Sequence, residues 1–267
     1  MNPRISSKPA RIVAIANQKG GVGKTTTCVN LAAAFGRMGF PVLLIDLDPQ
    51  GNATTGSGID PRRLHMSSCE VLLGERSAQE TILSPEGMDY DLLPANGDLT
   101  AAEVSLLQMD RREFALKDAL KPLLTNYEWI FIDCPPSLNM LTLNALGAAD
   151  SVLIPMQCEY YALEGLTGLL NTIEQLRASI NPSLEIEGLL RTMYDGRNNL
   201  AQAVSDQLLE HFDDKVYRTL IPRNIRVAEA PSYGLPVLLY DKRSKGAIAH
   251  VALAGEMLRR HEKRGSA

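Results

Sequence analysis

Cysteine is scarce in this 267-residue chain, and the four present, Cys28, Cys69, Cys134 and Cys158, are scattered. None belongs to a CxxC pair or to a histidine cluster at zinc spacing, which excludes a disulfide scaffold and a structural zinc site. They are expected to be reduced and mostly buried, as small hydrophobes. No apolar run approaches the roughly 18 residues that span a bilayer. Residues 1–11 lack the apolar core of a signal peptide, so a cytoplasmic location is expected. Basic excess is also missing: 27 Lys and Arg stand against 31 Asp and Glu, for a net charge of −4. That argues against a protein coating nucleic acid over its whole surface, while leaving room for a local basic patch. Internal repeats and low-complexity tracts are absent. With 45% hydrophobic and 22% charged residues, disordered and fibrous classes drop out.

What is present reads as one α/β domain over 11–260, with loose ends at 1–10 and 261–267. Residues 11–17 form an apolar strand, a glycine loop follows, and an apolar-rich helix runs from about Lys24 to Met38 before Gly39 stops it. A second strand at 42–47 completes a β-loop-α-β unit, whose connection is right-handed. Further buried strands are expected at 90–93, 129–133, 151–156, 186–193 and 216–221, mostly with helices between them. Residues 51–87 are the least regular part, with short helices and mobile loops expected. The fold class is a doubly wound, mostly parallel sheet with helices on both faces.

Between the first strand and its helix stands Lys19-Gly20-Gly21-Val22-Gly23-Lys24-Thr25. Phosphate binding needs several backbone N–H groups converging on one anion, and glycines permit the φ/ψ values and close approach this requires. The helix adds its positive N-terminal end, Lys24 reaches the β and γ phosphates, and the Thr25 hydroxyl is placed to ligate Mg²⁺. Gly20, Gly21, Val22, Gly23 and Thr26 complete the candidate nucleotide-binding set. A purely structural glycine turn is the bland alternative, and the strand before and helix after argue against it. The loop departs from GxxxxGK[ST], because Gln18 stands where the first glycine would.

Two apolar runs end in acid. Leu43-Leu44-Ile45-Asp46-Leu47-Asp48-Pro49-Gln50-Gly51-Asn52 places carboxylates at the carboxyl edge of the sheet, where such sheets bind ligands. Asp48 is the catalytic candidate, orienting or activating the attacking water and joining the metal set, with Asp46 in a supporting role. An N-cap or turn aspartate is the plainer alternative for each. Trp129-Ile130-Phe131-Ile132-Asp133-Cys134-Pro135-Pro136 has the form of a Walker B segment, in which Asp133 holds Mg²⁺ through water.

The run Lys19 to Thr25 resembles the deviant Walker A motif of the ParA/MinD ATPases, of P-loop NTPase type. DLDPQGN, IDCPPSL, residues 154–165 and the run Ile221-Pro222-Arg223-Asn224 are similar to its ParA/Soj chromosome-partitioning branch, across roughly residues 11–258. The resemblance implies ATP and Mg²⁺ as cofactors and a homodimer in the ATP state. There Lys19 crosses to the phosphates held by the partner, which places it with Asp48 and Lys24 among the catalytic candidates. It implies a weak ATPase stimulated by a ParB-type centromere-binding protein, non-specific binding to double-stranded DNA, and nucleoid association. It also implies adenine contact through Pro222 and Asn224 and DNA contact through Arg197 and Arg226.

Charge distribution adds to that last point. From Lys215 to Lys245 there are seven basic residues and two acidic ones, so Arg223, Lys242, Arg243 and Lys245 are further DNA-contact candidates. Three rivals remain at this stage: a MinD-like membrane-cycling ATPase, a nitrogenase-type iron protein using Cys134 and Cys158, and a nucleotide-binding regulator without turnover. The tail favours none of the membrane reading, since 259–264 is Arg-Arg-His-Glu-Lys-Arg without bulky apolar residues. The final helix is expected to pack on the core.

Overall fold

The computed structural model describes residues 9–265. The loose end expected over 1–10 lies almost wholly outside them; Ala10 is buried, and its N–H donates to the Leu124 carbonyl at 2.7 Å. Among the described residues six strands form one sheet: β1 (Arg11–Ile15), β2 (Val42–Asp46), β3 (Asp91–Leu93), β4 (Trp129–Asp133), β5 (Ser151–Gln157) and β6 (Glu185–Thr192). Their spatial order is β3-β2-β4-β1-β5-β6, and every pairing is parallel. The helices in chain order are α1 (Lys24–Arg37), α2 (Asn52–Gly56), α3 (Ser68–Leu72), α4 (Ala78–Thr81), α5 (Leu99–Leu106), α6 (Ala115–Leu120), α7 (Met140–Ala148), α8 (Ala162–Ser179), α9 (Asn199–Phe212), α10 (Ile225–Glu229), α11 (Val237–Tyr240) and α12 (Lys245–Gly265).

A sheet covered on both faces needs apolar side chains in both directions, which is why its strands read as unbroken apolar runs. Ile12, Ala14, Leu43, Ile45, Ile130 and Ile132 point into a layer with Leu99, Leu141 and Leu166 of α5, α7 and α8. Val13, Ile15, Leu44, Trp129 and Phe131 point the other way, onto Leu31 and Phe35 of α1 and Leu253 and Met257 of α12. The sheet is therefore doubly wound, as the sequence predicts. Phe35 lies 4.6 Å from the Trp129 ring and 5.3 Å from Phe131. Beside it the helix comes so close to the chain at residue 89 that a Cβ on Gly36 would sit 2.0 Å from the Asp89 carbonyl oxygen, so only glycine fits. The irregular part resolves into the short α2, α3 and α4; the last two open with reciprocal capping boxes, Ser67 with Glu70 and Ser77 with Glu80.

One expected strand is not formed. Residues 216–221 lie beside β6, where Leu189 bridges Val216 and the N–H groups of Tyr217 and Ile221 donate to the Leu189 and Arg191 carbonyls at 2.9 and 3.0 Å, but no continuous ladder forms. Side chains take the backbone groups a ladder would use. Glu256 accepts the N–H groups of Arg218 and Thr219, both at 2.9 Å, and Arg191 donates to the Tyr217 carbonyl at 2.8 Å. A second difference lies at the carboxyl end. α12 continues through 261–265, because Arg264 reaches buried Glu187 at 2.9 Å and Arg260 bonds the carbonyls of Asp214 and Val216. Its Leu253, Ala254 and Met257 are buried, while Ile248 is 59% exposed. Among the described residues no helix is long and apolar enough to cross a membrane.

Candidate functional site

Parallel strands deliver their carboxyl ends to one edge, and register decides which side chains meet there. Asp46 pairs with Asp133 across β2 and β4, and Ile15 pairs with Asp133 across β1. The loop leaving β1 therefore passes directly over the two acids. Gly21 and Gly23 take φ of 71° and 87°, in the left-handed region that favours glycine. Around Gly20 and Gly21 a Cβ would meet nothing within 4 Å, so the outer side of the loop is open.

Its inner side is held at three points from two distant strands, β5 and β6. Asn17 donates to the Pro155 carbonyl at 2.7 Å, Gln157 to the Gly21 carbonyl at 3.3 Å, and Thr192 to the Val22 carbonyl at 2.8 Å. Gly23 is the N-cap of α1 and brings no side-chain cap, so the first turn keeps its N–H groups and positive end for an anion. Lys24 is buried and donates to the Lys19 carbonyl at 3.2 Å. Burial pulls its pKa down, against the opposing pull of Asp133, Cys134 and Asp48. Thr25 and Thr26 line a cavity of about 240 Å³ with Asn30, Asn52 and Thr55.

The carboxylates differ sharply in how they are satisfied. Asp46 is fully buried; it accepts the Asp48 N–H at 3.1 Å, and both the Thr54 N–H and hydroxyl at 2.8 Å. Burial raises its pKa to about 6, although those hydrogen bonds hold it down. Asp48 accepts the Gln50 N–H on Oδ1 at 3.0 Å, with no hydrogen bond to Oδ2 among the described residues. Asp133 is fully buried, and neither of its oxygens accepts a hydrogen bond of ordinary geometry. Its carboxyl is pushed well above the usual range by burial and by the charges of Asp46 and Asp48, with the Thr25 hydroxyl and Lys24 pulling the other way. A buried carboxylate with two orphaned oxygens is costly unless something binds there.

Lys19 is half-exposed and held within its own chain by an ion pair to Glu159, beside the exposed Tyr160 and Tyr161. Sequence reasoning assigned no role to Glu159, or to Thr192 and Gln157 as anchors of the loop. Nothing local marks them, since each lies more than 130 residues from the loop it touches.

Pro222 lies beside Tyr194, and Asn224 caps α10 through Oδ1 to the Val227 N–H at 3.3 Å. Arg197 forms a two-pronged pair with Asp195, at 2.9 and 2.7 Å. Arg226 pairs with Glu229 and Asp241, whereas Arg223, Lys242, Arg243 and Lys245 have no ion pair among the described residues. Cys134 and Cys158 are buried free thiols, the latter pushed up to about 11 by burial, which disfavours the thiolate an iron cluster requires.

Comparison with known proteins agrees with this layout. Residues 10–186 match the family model described as an AAA domain. The chromosome partitioning protein ParA of Caulobacter vibrioides is 50% identical over 262 residues, covering 97% of this chain and 98% of that one. The sporulation initiation inhibitor protein Soj of Bacillus subtilis is 50% identical over 247 residues, covering 92% and 98%. Among solved structures, a cobyrinic acid a,c-diamide synthase from Mycobacterium smegmatis with bound ATP analog and magnesium is 42% identical. It superposes with a TM-score of 0.84, over 96% of this chain and 97% of that one.

Proposed function

The chain belongs to the ParA/Soj family of chromosome-partitioning ATPases, and from that membership and the site geometry we propose that it is a nucleotide switch that positions DNA. The observation that carries the reading is Asp133, a fully buried carboxylate with unmet bonding capacity beside an uncapped helix N-terminus and an open glycine loop. ATP with Mg²⁺ fits that arrangement: the loop N–H groups and Lys24 hold phosphate oxygens, and Thr25 with Asp133 holds the metal side. Bound Mg²⁺ supplies neutralisation of the charge that builds on the phosphates during transfer.

The chain's own residues then divide the work. Asp48, on the turn after β2, orients or accepts a proton from the attacking water, and Asp46 fixes that turn through the Asp48 N–H. Lys19 leaves Glu159 to reach the nucleotide of a second copy, which makes the ATP-bound form a dimer. Pro222 and Asn224 meet the adenine. The dimer joins two basic surfaces bearing Arg197, Arg223, Arg226, Lys242, Arg243 and Lys245, which contact DNA phosphates without reading sequence. Hydrolysis, stimulated by a ParB-type partner, releases the DNA. The name of the mycobacterial relative points to amide synthesis; what it has in common with this reading is nucleotide and magnesium.

The test is binding to a short duplex of arbitrary sequence at fixed salt, with a non-hydrolysable ATP analogue, with ADP and without nucleotide. Tight binding only with the ATP analogue is expected, and equal affinity in the three states overturns the switch.

A further inference from the structure

The two acidic residues between Lys215 and Lys245 are Glu229 and Asp241, and both lie on the same arginine. Arg226 Nη1 meets Glu229 Oε2 at 2.9 Å, and its Nε meets Asp241 Oδ2 at 3.5 Å. The six other basic residues of that stretch have no ion pair among the described residues. The two carboxylates are themselves held in place. Glu229 accepts the Tyr240 hydroxyl at 3.2 Å, with Tyr240 stacked on Tyr233, and Asp241 accepts the Arg243 N–H at 3.1 Å. They also come from different elements, Glu229 from α10 itself and Asp241 from the turn between α11 and α12. The guanidinium therefore sits in a fork that more than neutralises it, in a stretch whose other cations form no ion pair among the described residues.

We propose that Glu229 and Asp241 are an acidic mask on Arg226, which a DNA phosphate must displace before this arginine can bind it. The inference rests on the proposed DNA-binding reading of this surface. An arginine binds carboxylate and phosphate through the same planar fork of donors, so the two compete for one set of N–H groups. Side chains that are 52% and 40% exposed make a weak and easily exchanged pair. The mask thus lowers affinity without abolishing it, and a single protomer with its arginine covered is a poor ligand for DNA. An alternative use of the same carboxylates, orienting Arg226 toward a phosphate, predicts the opposite sign.

The experiment measures affinity of the full chain for a short arbitrary duplex, with a non-hydrolysable ATP analogue, as a function of salt. Glu229→Gln is expected to tighten binding about two- to fivefold, the scale of an exposed ion pair. It should also steepen the salt dependence by about one released counterion. Asp241→Asn, as a second variant from a different element, is expected to act in the same direction. In an Arg226→Ala background both gains should vanish, because the mask then has nothing to cover. Weaker binding by Glu229→Gln and Asp241→Asn, or a gain that survives Arg226→Ala as a general charge effect does, overturns the mask. Absence of ATP-dependent binding in the unmodified protein overturns the DNA-positioning reading instead, so the two failures are distinct.

Discussion

The carboxyl edge of the sheet and the surface from Lys215 to Lys245 both concentrate charge, and they treat it in opposite ways. At the edge, three aspartates are buried near a buried lysine, and Asp133, as fully buried as Asp46, has no hydrogen bond of ordinary geometry to either oxygen among the described residues. In that stretch most of the cations are exposed, and among the described residues Arg226 is the arginine ion-paired to acids, to two of them. Unmet polarity in a closed place is expensive, so its persistence points to a ligand. Exposed charge costs almost nothing, so its presence says much less. The same logic has an exception in α12: His250 is fully buried with Nε2 unpartnered among the described residues, and it does not line the cavity beside Thr25 and Thr26.

Removing the group closest to the chemistry tests the edge most severely. Asp48→Ala is expected to lower ATP turnover about 10²- to 10⁴-fold while leaving the ATP-state complex with DNA long-lived, read by phosphate release and by dissociation from a duplex. Rapid dissociation would separate hydrolysis from release.

His250 is next in size. Among the described residues its one ring partner is the Gly246 carbonyl at 2.8 Å on Nδ1, and burial pushes its pKa down to about 4. The unfolded chain, titrating near about 6.5, then binds the proton more readily than the folded one. Stability is fully present above about pH 6.5 and is lost as pH falls toward 4, by about 3 kcal/mol. Thermal melts over that window should show a shallower loss for His250→Gln, with nucleotide affinity unchanged. A change in nucleotide affinity would join this histidine to the site.

Smaller still, Asp133→Asn should weaken ATP binding in the presence of Mg²⁺ about 10- to 100-fold. Binding with the metal chelated should change little, as isothermal titration in EDTA can report. Equal losses under both conditions would make Asp133 a structural group like His250 and erase the contrast.

Legibility followed the same division. β1, the loop, α1 and the two acid-tipped strands were readable because a doubly covered sheet writes itself as apolar runs, and because phosphate binding demands glycines at close spacing. The failed strand at 216–221, Val-Tyr-Arg-Thr-Leu-Ile, has apolar ends around a polar centre. What interrupts it is Glu256, from α12, taking the Arg218 and Thr219 N–H groups, and the Arg191 side chain of the neighbouring β6 taking the Tyr217 carbonyl. Glu159 stood inside a readable motif, yet its pairing with Lys19 spans 140 residues and leaves no local signature. The continuation of α12 past residue 260 depends on Arg264 finding Glu187, a contact no helical period encodes.

The three anchors of the phosphate loop have a consequence for how the protein comes into being. The motif occupies residues 19–25, but its shape depends on Pro155, Gln157 and Thr192. During synthesis the loop emerges early and waits: a nascent chain halted before Thr192 displays the whole signature and lacks the cradle. The capacity to hold a nucleotide therefore arrives late, once the last of the six strands has been made.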